Sequence, residues 1–284
     1  MKISNVAVIG GGLMGRQIAL NAAIAGYQVK ITDSIEAVRQ AVVEWEAEYL
    51  AGRVAKGRMT QEQVDAVKAR FAVAENIQAA VSDADLVIEA VVEREDVKNA
   101  VFSEVAKYAP DHAIMGTNSS RMPSSKFTGS VKDPSKLANL HYFNPALVMK
   151  TVEVQVGEHT SEETMQTLLD FCRSVGKEPV LIRKEIEGMI VNRILNAINQ
   201  EAMYLVENGY ASVEDVDKGV TGGLNHPMGP FRLLDLTGID LAFTIRQNKL
   251  DATGEKPVGY DLLKSYVEQG RLGRKAGKGF YDYE

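Results

Sequence analysis

Residues 5–33 read NVAVIGGGLMGRQIALNAAIAGYQVKITD, and this stretch decides the fold. Asn5 to Ile9 is a short, β-branched, apolar run of the kind buried in a parallel sheet. Gly10 to Gly15 follow, then an alanine-rich helix is expected from about Arg16 to Ala25, closed by Gly26. Gln28 to Thr32 forms a second strand that ends at Asp33, which completes a βαβ unit. Gly10-Gly11-Gly12-Leu13-Met14-Gly15 fits G-x-G-x-x-G. In that pattern Gly10 makes the tight turn, Gly12 lets backbone approach a pyrophosphate, and Gly15 lets helix and strand pack closely. The helix N-terminus then meets the phosphates. The glycines alone would also suit a turn without a ligand. Their place between strand and helix, with Asp33 at the next strand end, favours a dinucleotide whose ribose hydroxyl the carboxylate accepts from. A carboxylate there repels a 2′-phosphate, so NAD is expected over NADP.

Outward from this unit, the next expected buried strand is Asp85 to Glu89, too distant for a single crossover. Ile35, Val38, Val42, Trp45 and Tyr49 share one face of a helix, and Thr60 to Gln63 is a capping box that opens another. An inserted helical hairpin over about residues 35–72 accounts for both. A helix at Glu95 to Lys107 comes next, then strands at Ala113 to Thr117, Leu137 to His141 and Thr151 to Val156. Thr160 to Glu163 reads as a capping box for a helix through Ser174, and Pro179 to Ile182 as the last strand. Beyond Glu185 only helical periodicity remains. Ile190, Val191, Ile194, Leu195, Ile198, Ala202 and Leu205 line a long apolar helix, Ser212 caps another, and Pro227 to Pro230 breaks the chain. The expected fold is α/β: a Rossmann-type, doubly wound, mostly parallel sheet with an inserted helical hairpin over residues 1–183. An all-helical domain over 184–284 follows it.

Composition sets outer limits. The 284 residues are 45% hydrophobic and 25% charged, ordinary values for a globular chain. Mean hydropathy is −0.14, with no apolar run long enough to span a bilayer and no secretory leader pattern. A net charge of −6 disfavours bulk nucleic-acid binding. One cysteine, Cys172, rules out an internal disulfide and any multi-cysteine metal site. The expectation is a cytoplasmic protein with no metal, no membrane partner and no nucleic-acid partner.

His141 ends an expected strand, although a lone histidine serves structure more often than chemistry. Glu153, two strand ends away, could hold its tautomer and stabilise an imidazolium. Asn118, Ser119 and Ser120 follow another strand end on the same side of the sheet, where doubly wound folds place ligands. Spacing alone leaves Ser120 open to a plain turn role. Arg53, Lys56 and Arg58 sit near the hairpin tip, where a solvated charged loop is the simpler reading.

Seven motifs in order alter that balance: GGGLMG, EAVVE (Glu89 to Glu93), TNSS (Thr117 to Ser120), LHYFNP (Leu140 to Pro145), VNR (Val191 to Arg193), HPMGPF (His226 to Phe231) and GRKAGKGFY (Gly273 to Tyr281). Together they resemble the 3-hydroxyacyl-CoA dehydrogenase family across nearly the whole chain, most closely its short bacterial members acting on 3-hydroxybutyryl-CoA. The resemblance implies NAD-dependent oxidation of a 3-hydroxyacyl-CoA, with His141 as general base and Glu153 as its orienting carboxylate. It implies that Ser120 and Asn192 bind the reacting oxygen, and that Glu93, Lys98, Asn144 and Lys275 line the cofactor side with Asn118. It assigns the hairpin a share in holding CoA, for which Arg53, Lys56 and Arg58 are the candidates, and it implies a homodimer through the C-terminal domain. Gly57 interrupts the usual lysine run there.

Three positions depart from the pattern. Arg121 replaces a small polar residue directly after Ser120, Glu187 replaces a common proline, and Arg232 replaces an acid or small residue after GPF. Arg121 bears on substrate identity and opens an alternative, a dicarboxylic 3-hydroxyacyl-CoA. Two other readings are a dehydrogenase of a free hydroxy acid and a cofactor-binding protein without turnover. The second would need only the glycines and Asp33.

Overall fold

A computed structural model describes residues 2–283, which form two compact units dividing between Ile190 and Val191. The first unit begins with β1 (Asn5–Ile9), α1 (Leu13–Ile24) and β2 (Gln28–Thr32). The inserted hairpin follows as α2 (Glu36–Ala55) and α3 (Gln61–Lys68). Thr60 and Gln63 close a reciprocal capping box at the start of α3. Gly57, at φ +62°, makes the turn between the two helices.

Two elements lie where the sequence suggests only helix and loop. These are β3 (Phe71–Val73) and α4 (Ile77–Val81). Three residues with a half-exposed pattern carry too little periodicity to be read as a strand. The rest of the unit is β4 (Leu86–Glu89), α5 (Glu95–Tyr108), β5 (Ile114–Thr117), β6 (Leu137–Tyr142), β7 (Thr151–Gln155), α6 (Glu162–Ser174) and β8 (Glu178–Ile182). The cap of α6 is Ser161, whose hydroxyl accepts from Thr164 N–H, and not Thr160 as the box spacing suggests. Thr160 instead donates its hydroxyl to Leu137 O.

The strands form one eight-stranded sheet in the order β3-β2-β1-β4-β5-β6-β7-β8. Every neighbouring pair is parallel except β6 with β7. Val6 and Val8 of β1 enter one buried cluster while Ala7 and Ile9 enter another. Alternation along a strand sends neighbours to opposite faces, so both faces are covered, as a doubly wound sheet requires. Because β1, β2, β4, β5 and β6 run the same way, Gly10, Asp33, Glu93, Ser120 and His141 all come to one edge. That edge, at the strands' C-terminal ends, is where open α/β sheets bind ligands.

The second unit is helical: α7 (Val191–Glu207), α8 (Val213–Leu224), α9 (Pro230–Thr237), α10 (Ile239–Thr253) and α11 (Tyr260–Glu268). Two isolated bridges, Gly273 with Lys278 and Lys278 with Asp282, fold its end back on itself. Buried Asp235 accepts from Phe280 N–H, Tyr281 N–H and the Tyr283 hydroxyl, which anchors the terminal GFY run. Arg232, one of the departures, lies 4.0 Å over the Tyr281 ring. Of the apolar residues expected along α7 only Ala202 is buried, together with Asn199 and Met203, while Ile190, Val191 and Ile194 are exposed. The unit's division falls later than the composition change near residue 184 because the linker is tied to β7. Gln155 accepts from Ile186 N–H and Glu153 from Ile190 N–H.

Candidate active site

The glycine loop has the geometry its sequence demands. Gly10 has φ +111°, and a Cβ there would lie 2.5 Å from Ala90 O. A Cβ on Gly15 would run into Gly10 O, so helix and strand could not pack so closely. Gly12 faces open space, room that a pyrophosphate approaching the N-terminus of α1 needs. Asp33 accepts from Gly11 N–H at 2.8 Å and from Ile35 N–H at 3.0 Å, which aims its half-exposed carboxylate at this loop. The donor set therefore fits a dinucleotide with an unphosphorylated ribose.

His141 and Glu153 stand directly opposite each other in the antiparallel β6–β7 register. The imidazole Nδ1 lies 2.9 Å from Glu153 Oε2, with the histidine side chain 7% exposed and the glutamate fully buried. A carboxylate can only accept, so in the neutral ring Nδ1 carries the proton and Nε2 the lone pair. Glu153 Oε1 accepts from Ile190 N–H at 3.0 Å, which fixes the carboxylate in turn. Phe143 packs edge-on against the imidazole with ring centroids 4.6 Å apart.

Beside this pair, the loop after β5 wraps a second carboxylate. Glu93 Oε1 accepts from the Ser119 hydroxyl at 2.6 Å and from the N–H groups of Ser120 and Arg121 at 3.1 Å each. Lys98, 1% exposed, places its ammonium 2.7 Å from buried Glu89 and 3.3 Å from Glu93. Glu89 also accepts from the Thr117 hydroxyl and Val91 N–H. Burial pushes the Glu93 carboxyl up, but the Ser119 hydroxyl, Lys98 and the Arg121 amide together hold it below the usual carboxylate range. Lys98 is thus committed to two carboxylates, and its hold on the loop passes through Glu93. Asn118 Oδ1 accepts from Tyr142 N–H, tying the same loop to β6.

Asn144 is exposed and precedes Pro145 through a cis peptide bond. At the hairpin tip, half-buried Arg53, with its Nε lacking a hydrogen-bond partner, clusters with exposed Lys56 and Arg58. Asn192 and Lys275 belong to the second unit. Asn192 is half-buried in the first turn of α7, and Lys275 pairs with Asp240 at 2.6 Å.

Sequence reasoning misses three supports. Lys177, nearly buried, donates to Ala146 O at 2.6 Å and Met149 O at 2.8 Å, and so holds the turn after Asn144. Burial lowers its pKa. Asn139 and Gln155 are amides with no exposure inside β6 and β7. Their signal was available: in β6 Asn139 and His141, and in β7 Thr151, Glu153 and Gln155, put polar residues on one face of a strand whose alternate positions are apolar.

With this geometry in place, comparison with known proteins is direct. Residues 5–186 match the 3-hydroxyacyl-CoA dehydrogenase NAD binding domain, and residues 188–283 match the 3-hydroxyacyl-CoA dehydrogenase C-terminal domain. The chain belongs to the 3-hydroxyacyl-CoA dehydrogenase family. Its cofactor is NAD and it is an oxidoreductase. It is 36% identical over 283 residues to a Mycobacterium tuberculosis 3-hydroxybutyryl-CoA dehydrogenase, covering 99% of each chain. It is 37% identical over 289 residues to the Escherichia coli 3-hydroxyadipyl-CoA dehydrogenase, covering all of this chain and 60% of that one. Among solved structures, a diketoreductase acting on dicarbonyl compounds superposes with a TM-score of 0.90 at 31% identity, each chain covered in full. These relatives are named for different substrates, and the diketoreductase shares the fold.

Proposed function

We propose that this chain reversibly oxidises the 3-hydroxyl of a short-chain L-3-hydroxyacyl-CoA, with 3-hydroxybutyryl-CoA the favoured substrate. One observation carries the reading. His141 is held through Nδ1 by a buried carboxylate, which leaves Nε2 with an unspent lone pair at the binding edge of the sheet. That nitrogen takes the substrate hydroxyl proton, and Glu153 stabilises the imidazolium that results. Ser120 and Asn192 hold the reacting oxygen and donate to the charge that develops on it. Bound NAD supplies the hydride acceptor. Gly10, Gly12, Leu13, Met14 and Gly15 hold its pyrophosphate and Asp33 its adenosine ribose. Asn118, Asn144, Lys275 and Glu93 serve the nicotinamide side, with Lys98 supporting Glu93.

Arg53, Lys56 and Arg58 supply the cations that CoA phosphates require. A free hydroxy acid would leave them without a partner. The apolar residues Val191 and Ile194, exposed at the start of α7, support a homodimer through the C-terminal unit. Light scattering should give twice the chain mass, and a monomer at every concentration would remove that part of the reading. Among the described residues no helix is long and apolar enough to cross a membrane. That and the composition support a cytoplasmic setting.

A second reading has its own support. Arg121 is exposed, its backbone N–H is fixed on Glu93, and its guanidinium has no hydrogen-bond or ion-pair partner among the described residues. Such a group suits a distal carboxylate held bidentately, as on a dicarboxylic acyl chain. The test compares kcat/KM for 3-hydroxybutyryl-CoA, 3-hydroxyadipyl-CoA and free 3-hydroxybutyrate in the wild type and in Arg121→Ser. The favoured reading expects the two thioesters to far outpace the free acid. Equal efficiency on the free acid defeats the CoA requirement. An unchanged thioester ratio in Arg121→Ser removes that arginine from specificity.

A further inference from the structure

We propose that Asn139 and Gln155 form a positioning pair that sets the Ser120 loop against His141. The proposal deepens the function proposed above and rests on it. In β6 Asn139 lies two residues before His141, and in β7 Gln155 lies two residues after Glu153. Side chains two apart on a strand share a face. The antiparallel register opposes Asn139 to Gln155 just as it opposes His141 to Glu153. An amide pair thus forms a second rung beside the catalytic rung.

Both amides are fully buried. A buried amide destabilises unless it is satisfied, and a valine or leucine would fill a strand interior without that requirement. The partners show what the amides accomplish. Asn139 Oδ1 accepts from Ser124 N–H at 2.8 Å, and Asn139 Nδ2 donates to Met122 O at 2.9 Å. Gln155 Nε2 reaches the same Asn139 Oδ1 at 3.4 Å, and Gln155 Oε1 accepts from Ile186 N–H at 3.0 Å. Apart from the bond between the two amides, each contact goes to backbone outside the sheet.

The segments so held are those that matter for the chemistry. Met122 and Ser124 follow Ser120 closely. Glu93 grips the Ser120 and Arg121 amides, and Asn139 grips the loop just beyond them. On the other side, Gln155 holds Ile186 as Glu153 holds Ile190, in the segment whose sequence continues into α7 and Asn192. The Ser120 hydroxyl is therefore referenced to the same two strands that carry the base. A misplacement of about 1 Å in such a group costs about 10²-fold in rate. Neither amide touches the reacting atoms in this account, so both are positioning residues.

Three variants test this: Asn139→Leu, Gln155→Leu and Asn139→Asp. The last keeps the acceptor for Ser124 N–H but loses the donor to Met122 O. The measurements are steady-state reduction of acetoacetyl-CoA by NADH, NADH binding by fluorescence titration, and backbone amide exchange. The two leucine variants should lose about 10- to 100-fold in kcat, with Asn139→Asp between them and wild type. NADH affinity should stay within about twofold, because the glycine loop is untouched. Amides of Ser124 and Ile186 should exchange faster, while the Glu89-bound amide of Val91 keeps its protection. If Asn139→Leu does not fold, the other two decide. Folded variants with wild-type kcat overturn the proposal. So does a loss of kcat matched by an equal loss of NADH affinity and by faster exchange everywhere. A wild type inactive on every 3-ketoacyl-CoA defeats the functional reading alone. Amide exchange then decides the pair, and unchanged exchange at Ser124 and Ile186 overturns it.

Discussion

Two acid–base clusters sit at the same edge of the sheet, and they differ in what they leave unspent. In the Glu89–Lys98–Glu93 cluster every charge is engaged. Lys98 bridges both carboxylates, Glu89 takes two further donors, and Glu93 Oε1 gathers a hydroxyl and two amides. In the His141–Glu153 pair one ring nitrogen keeps its lone pair. Each cluster sets a buried carboxylate against a buried basic group, so those features alone do not separate them. The unspent atom does: in the function proposed, the first cluster holds a loop and the second exchanges a proton.

Removing the unspent atom breaks the comparison most severely. His141→Gln should lower kcat by about 10²- to 10⁴-fold, the range for losing a positioned general base. NADH binding and thermal midpoint should hardly move. Near-normal kcat in a folded His141→Gln protein would make the histidine structural. Ser120→Ala should cost about 10²-fold or more in kcat, as loss of one donor to a developing oxyanion does, with small effect on KM for NADH.

The holding cluster should fail differently. Lys98→Met leaves the buried Glu89 carboxylate without its counter-charge and should destabilise the fold by about 3–5 kcal/mol, read by urea denaturation. A Lys98→Met protein of wild-type stability and low kcat would instead place that ammonium in the chemistry. At the glycine loop, Asp33 sets a smaller effect. NADH should be preferred to NADPH, and Asp33→Ala should narrow the ratio of their kcat/KM values. Wild-type efficiency with NADPH equal to that with NADH would contradict the role given to this carboxylate.

The smallest effect concerns acid. The folded-state pKa of Glu93 lies below its ordinary value, so its contribution to stability is present above the unfolded pKa of about 4.3. That contribution is lost as pH falls through the lower folded value. Glu93→Gln should therefore flatten the acid limb of the stability curve. An unaltered limb would mean that the loop does not depend on this charge.

Much of this was legible in the chain because it follows from local rules. The glycine loop and Asp33 are dictated by where backbone must approach backbone or phosphate, and the caps at Thr60 and Ser212 by donors left open at helix starts. His141 and Glu153 could be picked out, but their direct opposition depends on β7 turning antiparallel, which no residue pattern announces. The strand Phe71–Val73 is held by pairing with β2 more than by its own composition. Lys177 was invisible for a related reason, since its partners are carbonyls 31 and 28 residues earlier in the chain. Backbone acceptors have no sequence signature.

The most direct measurement is the rate of acetoacetyl-CoA reduction by NADH, in wild type and in His141→Gln, with NADH binding followed in both. In this direction the ring gives a proton to the product oxygen, so the account predicts ready turnover by the wild type. In His141→Gln kcat should be about 10²- to 10⁴-fold lower with NADH binding kept. Equal kcat in both proteins, or no reduction of any 3-ketoacyl-CoA by the wild type, would contradict the account.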